Sequence, residues 1–254
     1  MITLRWNIYN MKYNFILATL FFISNSIFCQ ETNTLSMSQE LSAMSKQPQL
    51  AHTMTSSAFQ SYASNQVNGS QFFIANWRPG EVVLMDKESF KEGMMFSYDK
   101  VRQELFIRLK DSAVILQGIK DQIYSFSLNG EDGKKYHFVN SSIFTNEDPE
   151  VFYQVLVYDS SRLSLLKYTE TNFVKADMTD IMKVKEGDIY DSFVDNYTYY
   201  IVKDHGVPET VQLKSKSLKK VFADLKIDPQ KYMNDHPGSI DEDYLIDMVT
   251  QLNQ

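Results

Sequence analysis

Ile123-Tyr124-Ser125-Phe126-Ser127-Leu128-Asn129-Gly130-Glu131-Asp132-Gly133-Lys134-Lys135-Tyr136-His137-Phe138-Val139 is the stretch on which the reading of the fold turns. Ile123 to Leu128 and Lys135 to Val139 are short β-prone runs, and the Asn-Gly and Asp-Gly pairs between them spell a hairpin loop. So short a connection joins antiparallel neighbours, because parallel strands need a crossover of a dozen or more residues.

The same grammar extends in both directions. Upstream, β-prone runs at Glu81 to Met85, Met94 to Tyr98, Glu104 to Leu109 and Ala113 to Gln117 are separated by turn signals at Arg78-Pro79-Gly80, Glu92-Gly93, Lys110-Asp111 and Gly118. Downstream, an acidic loop at Asn146 to Pro149 precedes Phe152 to Tyr158 and Leu163 to Tyr168. Tyr197 to Lys203 and Thr210 to Leu213 flank the turn Asp204-His205-Gly206. No βαβ alternation is visible. The expected fold is mainly β within the α+β class: a curved antiparallel sheet, sandwich or partial barrel over residues 70–214, with a short C-terminal helical segment over 215–254 packed on it.

In that last segment the period changes. Leu218, Val221, Phe222 and Leu225 recur at helical spacing, with Ser217 read as the cap. Asp228-Pro229 opens a second short helix through Tyr232 and Met233, which Pro237-Gly238 ends. Ser239-Ile240-Asp241-Glu242 reads as a capping box, followed by the apolar stripe Tyr244, Leu245, Met248, Val249 and Leu252. A helix this short is marginal alone, so the stripe is expected to dock on the sheet.

The N-terminus has different physics. Arg5 and Lys12 are the only charges before Glu31, and Asn14 to Phe28 is an apolar run without charge. A basic head, a short apolar centre and a small residue at the exit mark a secretory signal peptide over residues 1–29. Met11-Lys12 offers a second start, which would leave residues 1–10 untranslated. Cleavage is expected between Cys29 and Gln30; lipidation of Cys29, the only cysteine, is the alternative, disfavoured by the bulky Phe28 before it. Residues 30–69, rich in Ser, Thr, Gln, Asn and Met, read as a polar flexible tether with a short helical piece around Leu41 to Met44.

Charge narrows the partners. Removing residues 1–29 takes away two basic residues and no acid, so 25 against 32 becomes 23 against 32, a net charge of −9. Such a surface repels nucleic acid and anionic lipid. No membrane-spanning segment is expected once the signal is removed, and with no thiol pair the domain must be stabilised by its core.

Chemistry-bearing motifs are sparse. His52, His137, His205 and His236 show no metal-ligand spacing, and G-x-S-x-G, the P-loop and G-x-G-x-x-G are absent, so no catalytic residue, metal or cofactor is assigned. Glu147-Asp148, Asp177 with Asp180, Asp188 with Asp191, and Asp241-Glu242-Asp243 lack the calcium-loop ladder and read as solvated faces, the last as a helix N-terminus. Aromatic runs are the better binding candidates. Trp77 beside Arg78 sits in a turn, and Tyr197-Thr198-Tyr199-Tyr200 places Tyr197 and Tyr199 on one face of a strand. Aromatics on an open face could take a glycan or peptide, while cross-strand pairing is their structural reading.

The segments Phe152-Tyr153-Gln154-Val155-Leu156-Val157, Leu165-Leu166-Lys167-Tyr168, Thr198-Tyr199-Tyr200-Ile201 and Leu213-Lys214-Ser215-Lys216-Ser217-Leu218, in that order, resemble uncharacterised exported proteins of Bacteroidota-type bacteria. The resemblance covers residues 70–252 and implies an envelope location: periplasm, cell surface or extracellular space. It brings no activity. The functional expectation is therefore a non-catalytic binding or interaction module whose partner is a protein, a glycan or an apolar ligand. One alternative is a carrier whose C-terminal helices close a cavity over an apolar ligand; another is a hydrolase with a dispersed site. Oligomeric state is not legible.

Overall fold

The structure, a computed structural model, describes residues 36–46, 67–144, 151–159, 161–176, 190–204 and 206–254. The signal peptide, the Cys29–Gln30 bond, residues 47–66, the acidic loop at 146–149, Asp177, Asp180, Asp188 and His205 lie outside the described residues.

Twelve strands form one mixed sheet that does not close into a barrel. In chain order they are β1 (Val67–Asn68), β2 (Arg78–Leu84), β3 (Ser89–Phe90), β4 (Met94–Asp99), β5 (Glu104–Leu109), β6 (Ile115–Gln117), β7 (Ile123–Asn129), β8 (Lys135–Asn140), β9 (Phe152–Val157), β10 (Leu163–Val174), β11 (Asp191–Lys203) and β12 (Glu209–Val211). The helices are α1 (Met37–Lys46), α2 (Ser215–Asp224), α3 (Gln230–Asp235) and α4 (Glu242–Leu252). Along the sheet the order is β1-β11-β10-β9-β8-β7-β2-β4-β5-β6, with β12 on β11 and β3 on β2. All pairings are antiparallel except β1 with β11. The β7–β8 hairpin forms as the sequence indicates, with Asn129 opposite Lys135.

β2 is the fold's corner. Its first residues, Arg78 and Pro79, pair with β4, and Gly80 onward pair with β7. At the changeover a Cβ on Gly80 would stand 2.0 Å from the Ser127 carbonyl oxygen, so only glycine permits the approach. The sheet thereby curls, and Tyr98 of β4 meets Phe126, Phe138 and Phe152 of β7–β9 with ring centroids 5.1, 5.1 and 6.0 Å away. The free turn after β4 docks on the far strands. Lys100 pairs with Asp195 at 2.6 Å, while Gln103 donates to Thr169 O and accepts from Phe152 N.

Two cores occupy the curled face. The first holds Phe96, Leu105, Ile107, Phe126 and Phe138, and Met37 and Leu41 of α1 are fully buried in it. The helix contains the short helical piece expected around Leu41 to Met44, but its burial departs from the loose tether expected there. Met37 and Leu41 are spaced four apart on one helix face, and burying that pair outweighs the polar composition around it. The second core packs Leu163, Leu165, Tyr199 and Ile201 against Leu218, Val221, Phe222, Leu245, Met248 and Val249 of α2 and α4. The carrier alternative placed a cavity beneath these helices; side chains fill this interface instead.

Helix starts differ in detail from the sequence reading. Lys214 precedes α2 as its cap residue, and Ser217 lies inside the first turn, its hydroxyl accepting from Gln212 N. At α3 Pro229 is the cap residue and makes no side-chain cap bond, while Asp228 before it accepts from Gln230 N. The capping box at Ser239 does not form, because Asp241 caps α4 through Tyr244 N and leaves Glu242 for another task. β10 and β11 run 12 and 13 residues, about twice the expected lengths. Their outer halves are mixed in polarity, held by backbone pairing, a Phe173–Phe193 ring contact at 5.1 Å and the Asp195 carboxylate, which takes Thr171 and Lys100.

Candidate functional site

The four residues singled out from sequence are not brought together, since β7, β8, β9 and β10 lie between β2 and β11. Arg78 is committed to structure: Nε donates to Asn129 O and Nη1 meets Glu131 Oε1, both at 2.9 Å, bracing the β7–β8 loop. The arginine that covers the Trp77 ring is Arg108, its guanidinium 4.7 Å from the centroid. No local pattern reveals that pair, because β2–β4–β5 pairing creates it.

Tyr197 and Tyr199 do share a face, as strand alternation requires. Tyr199 is buried and donates to Glu242 Oε2 at 2.7 Å. Lys167 on β10 reaches both oxygens of the same carboxylate, at 3.0 and 2.8 Å, and its ammonium lies 4.8 Å from the centroid of the exposed Tyr197 ring. Burial first, then the hydrogen bond to Glu242, drives the Tyr199 phenol well above its ordinary pKa. This cluster clamps the N-terminus of α4 to the sheet.

The opposite face is different. Strands β8 to β11 are apolar on both sides, as in Phe138-Val139, Leu165-Leu166 and Ile201-Val202. On one side the first core covers β8 and the start of β9, and helices α2 and α4 cover β10 and β11. On the other lies a cleft of about 490 Å³ that crosses five strands from Tyr124 and Ser125 to Val202. Val139, Val155, Leu166 and Val202 form its apolar floor, Leu166 and Val202 being buried in a third apolar cluster with Tyr153; Phe144 and Ile143 come from the turn after β8, and Tyr158, Asp159 and Ser164 from the β9–β10 connection and the start of β10. Sequence reasoning did not find this site. Its signal was the doubled apolar pattern, which normally marks a strand covered on both faces.

The polar groups of the cleft are unequal. Lys135 lies 3.7 Å from Glu81, beyond hydrogen-bond range, and its side chain is 46 % exposed. Partial burial and then the Lys135 ammonium hold His137 below its ordinary pKa, with Glu81 pulling the other way. Asp159 Oδ1 accepts from the amide and hydroxyl of Ser161. That lowers its pKa.

Glu81, Ser127 and His137 lie in one cross-strand row. The serine stands between acid and histidine, not the histidine between acid and serine as a proton relay requires. Ser127 Oγ is buried without a hydrogen-bond partner. Among the described residues no group of three or more His, Cys, Asp or Glu is placed to hold a metal ion, and no helix is long and apolar enough to cross a membrane. His236 is stacked on Tyr232 at 4.3 Å, away from any ligand set.

Comparison with known proteins yields no matching family model, no matching curated protein and no matching solved structure.

Proposed function

We propose that this chain is an exported, non-catalytic binding module of the bacterial envelope that receives an apolar ligand in the outer-face cleft. One observation carries the reading: a volume of about 490 Å³ lined by Val139, Val155, Leu166, Val202 and Phe144, with Lys135, His137, Asp159 and Ser164 among its polar lining. Ligand sites are concave, mostly apolar, of this size, and furnished with a few orienting polar groups. Export rests on the three-zone N-terminus.

Titration with the neutral fluorophore N-phenyl-1-naphthylamine tests the site. Saturable enhancement is expected for the native protein. It should disappear in Val155→Trp, which fills the cleft, provided the melting temperature is retained; Leu166→Phe serves if Val155→Trp does not fold. No enhancement, or enhancement untouched by filling, refutes the reading. N-terminal sequencing of the envelope fraction is expected to begin at Gln30, and a chain beginning at Met1 or Met11 would overturn export.

A further inference from the structure

We infer that the cleft takes a single unbranched alkyl chain laid obliquely across β8 to β11, and excludes broad fused-ring ligands. The inference rests on the cleft being the ligand site and adds the shape of what it takes. Strand register sets the track. Val155 stands directly opposite Leu166. Val139 is diagonal to Val155, whose opposite on β8 is His137, and Val202 is diagonal to Leu166, whose opposite on β11 is Tyr200. Both diagonals step the same way along the strands, so the four apolar side chains form one oblique line. Two diagonal steps and one direct step make it about 20 Å long. Spread over that length, the cleft volume of about 490 Å³ leaves a section of about 25 Å², or roughly 5 Å across. A methylene chain, whose carbons touch their neighbours at about 4 Å, fills that width once. Its carbons advance about 1.25 Å each, so about sixteen cover the track.

The line has no room to broaden towards the aromatic side. Tyr153, Tyr168 and Tyr200 stand two places along from Val155, Leu166 and Val202 on the same face. The Tyr153 ring lies 5.1 Å from that of Tyr200 and 6.3 Å from those of Tyr168 and Phe144, a continuous ridge beside the floor. His137 and Lys135 of β8, with Asp159 and Ser164, flank the other side. Those groups carry both signs of charge, so the chain rather than the head group is what the cleft reads.

Displacement of N-phenyl-1-naphthylamine by straight-chain alcohols from hexanol to tetradecanol tests the track, with its ends narrowed one at a time. In the native protein affinity is expected to rise about two- to fourfold per methylene across the whole series, full burial giving the upper figure. Val202→Phe shortens the track by one strand at the β11 end, and Val139→Phe does so at the β8 end. Each should weaken tetradecanol about tenfold, the worth of about two methylenes left without room, and leave hexanol and octanol within about twofold. The fluorophore, shorter than the track, should still bind both variants, and either one suffices if the other loses its native melting temperature. Equal loss of octanol and tetradecanol in a folded variant, or loss of neither, overturns the single-chain track and leaves the cleft reading standing. So does a plateau before dodecanol in the native protein, which needs no variant. Failure of the fluorophore to bind the native protein overturns both.

Discussion

Removal of the Glu242 carboxylate would test how α4 is fastened to the sheet. Its two oxygens accept from Lys167 Nζ at 3.0 and 2.8 Å and from Tyr199 Oη at 2.7 Å. The residue also occupies the first turn of α4, where negative charge is favoured by about 0.3–1 kcal/mol. Hydrogen bonds to a charged group contribute about 1.5–3 kcal/mol each when protected. Here the Lys167 and Glu242 side chains are 13 % and 33 % exposed, so solvent screens part of that. Because the bonds share one carboxylate they do not add, and Glu242→Ala is expected to cost about 2–3 kcal/mol. Urea unfolding followed by circular dichroism would measure it. Tyr199→Phe, which removes one hydroxyl and leaves the ion pair, should cost about 1 kcal/mol. A double-mutant cycle of Glu242→Gln with Lys167→Met should return a coupling near 1 kcal/mol, falling in high salt. A loss below about 0.5 kcal/mol for Glu242→Ala, within the range of ordinary surface substitutions, would refute the clamp.

Other perturbations probe other joints of the molecule. Leu41→Ala should cost about 2–5 kcal/mol in a thermal or urea melt, since Leu41 is fully buried in the first core, and a cost near zero would mean α1 is not part of the fold. Gly80→Ala places a Cβ 2.0 Å from the Ser127 carbonyl and should lower stability by more than about 2 kcal/mol; an unchanged melt would disprove the corner at β2. The His137 ring, followed by NMR, should titrate below its ordinary value, with Lys135→Gln raising the midpoint and Glu81→Gln lowering it. A depressed folded-state pKa means the unfolded chain takes up the proton first, so stability from this residue is present above pH ~6.5 and declines as pH falls below it. An upward displacement of the native midpoint would reverse that sign.

How much of this was legible from residues alone can be followed element by element. The β7–β8 hairpin, the strands from β4 to β9 and the three C-terminal helices followed from alternation, turn residues and 3.6-residue spacing, all written within about ten positions of one another. The outer halves of β10 and β11 escaped because their mixed side chains carry no clear alternation, and their anchors, such as Lys100 on Asp195, come from distant parts of the chain. The helical piece around Leu41 was legible, but its docking was not, because two apolar residues among serines and glutamines carry little signal until a core exists for them to enter.

The sequence by itself determined a strand-rich α+β chain with amphipathic helices at its end, because local periodicity dictates which face of each element is apolar. Only the tertiary structure decided that Gly80 is the corner, that Arg108 rather than Arg78 covers Trp77, and that Glu242 joins Lys167 from 75 residues away. It also decided that one apolar face of β8–β11 is covered by the first core and the C-terminal helices and that the other floors a cleft. An apolar pattern records that a face avoids water. What meets that face is set by contacts between elements distant in the chain, and these arise only when the sheet curls.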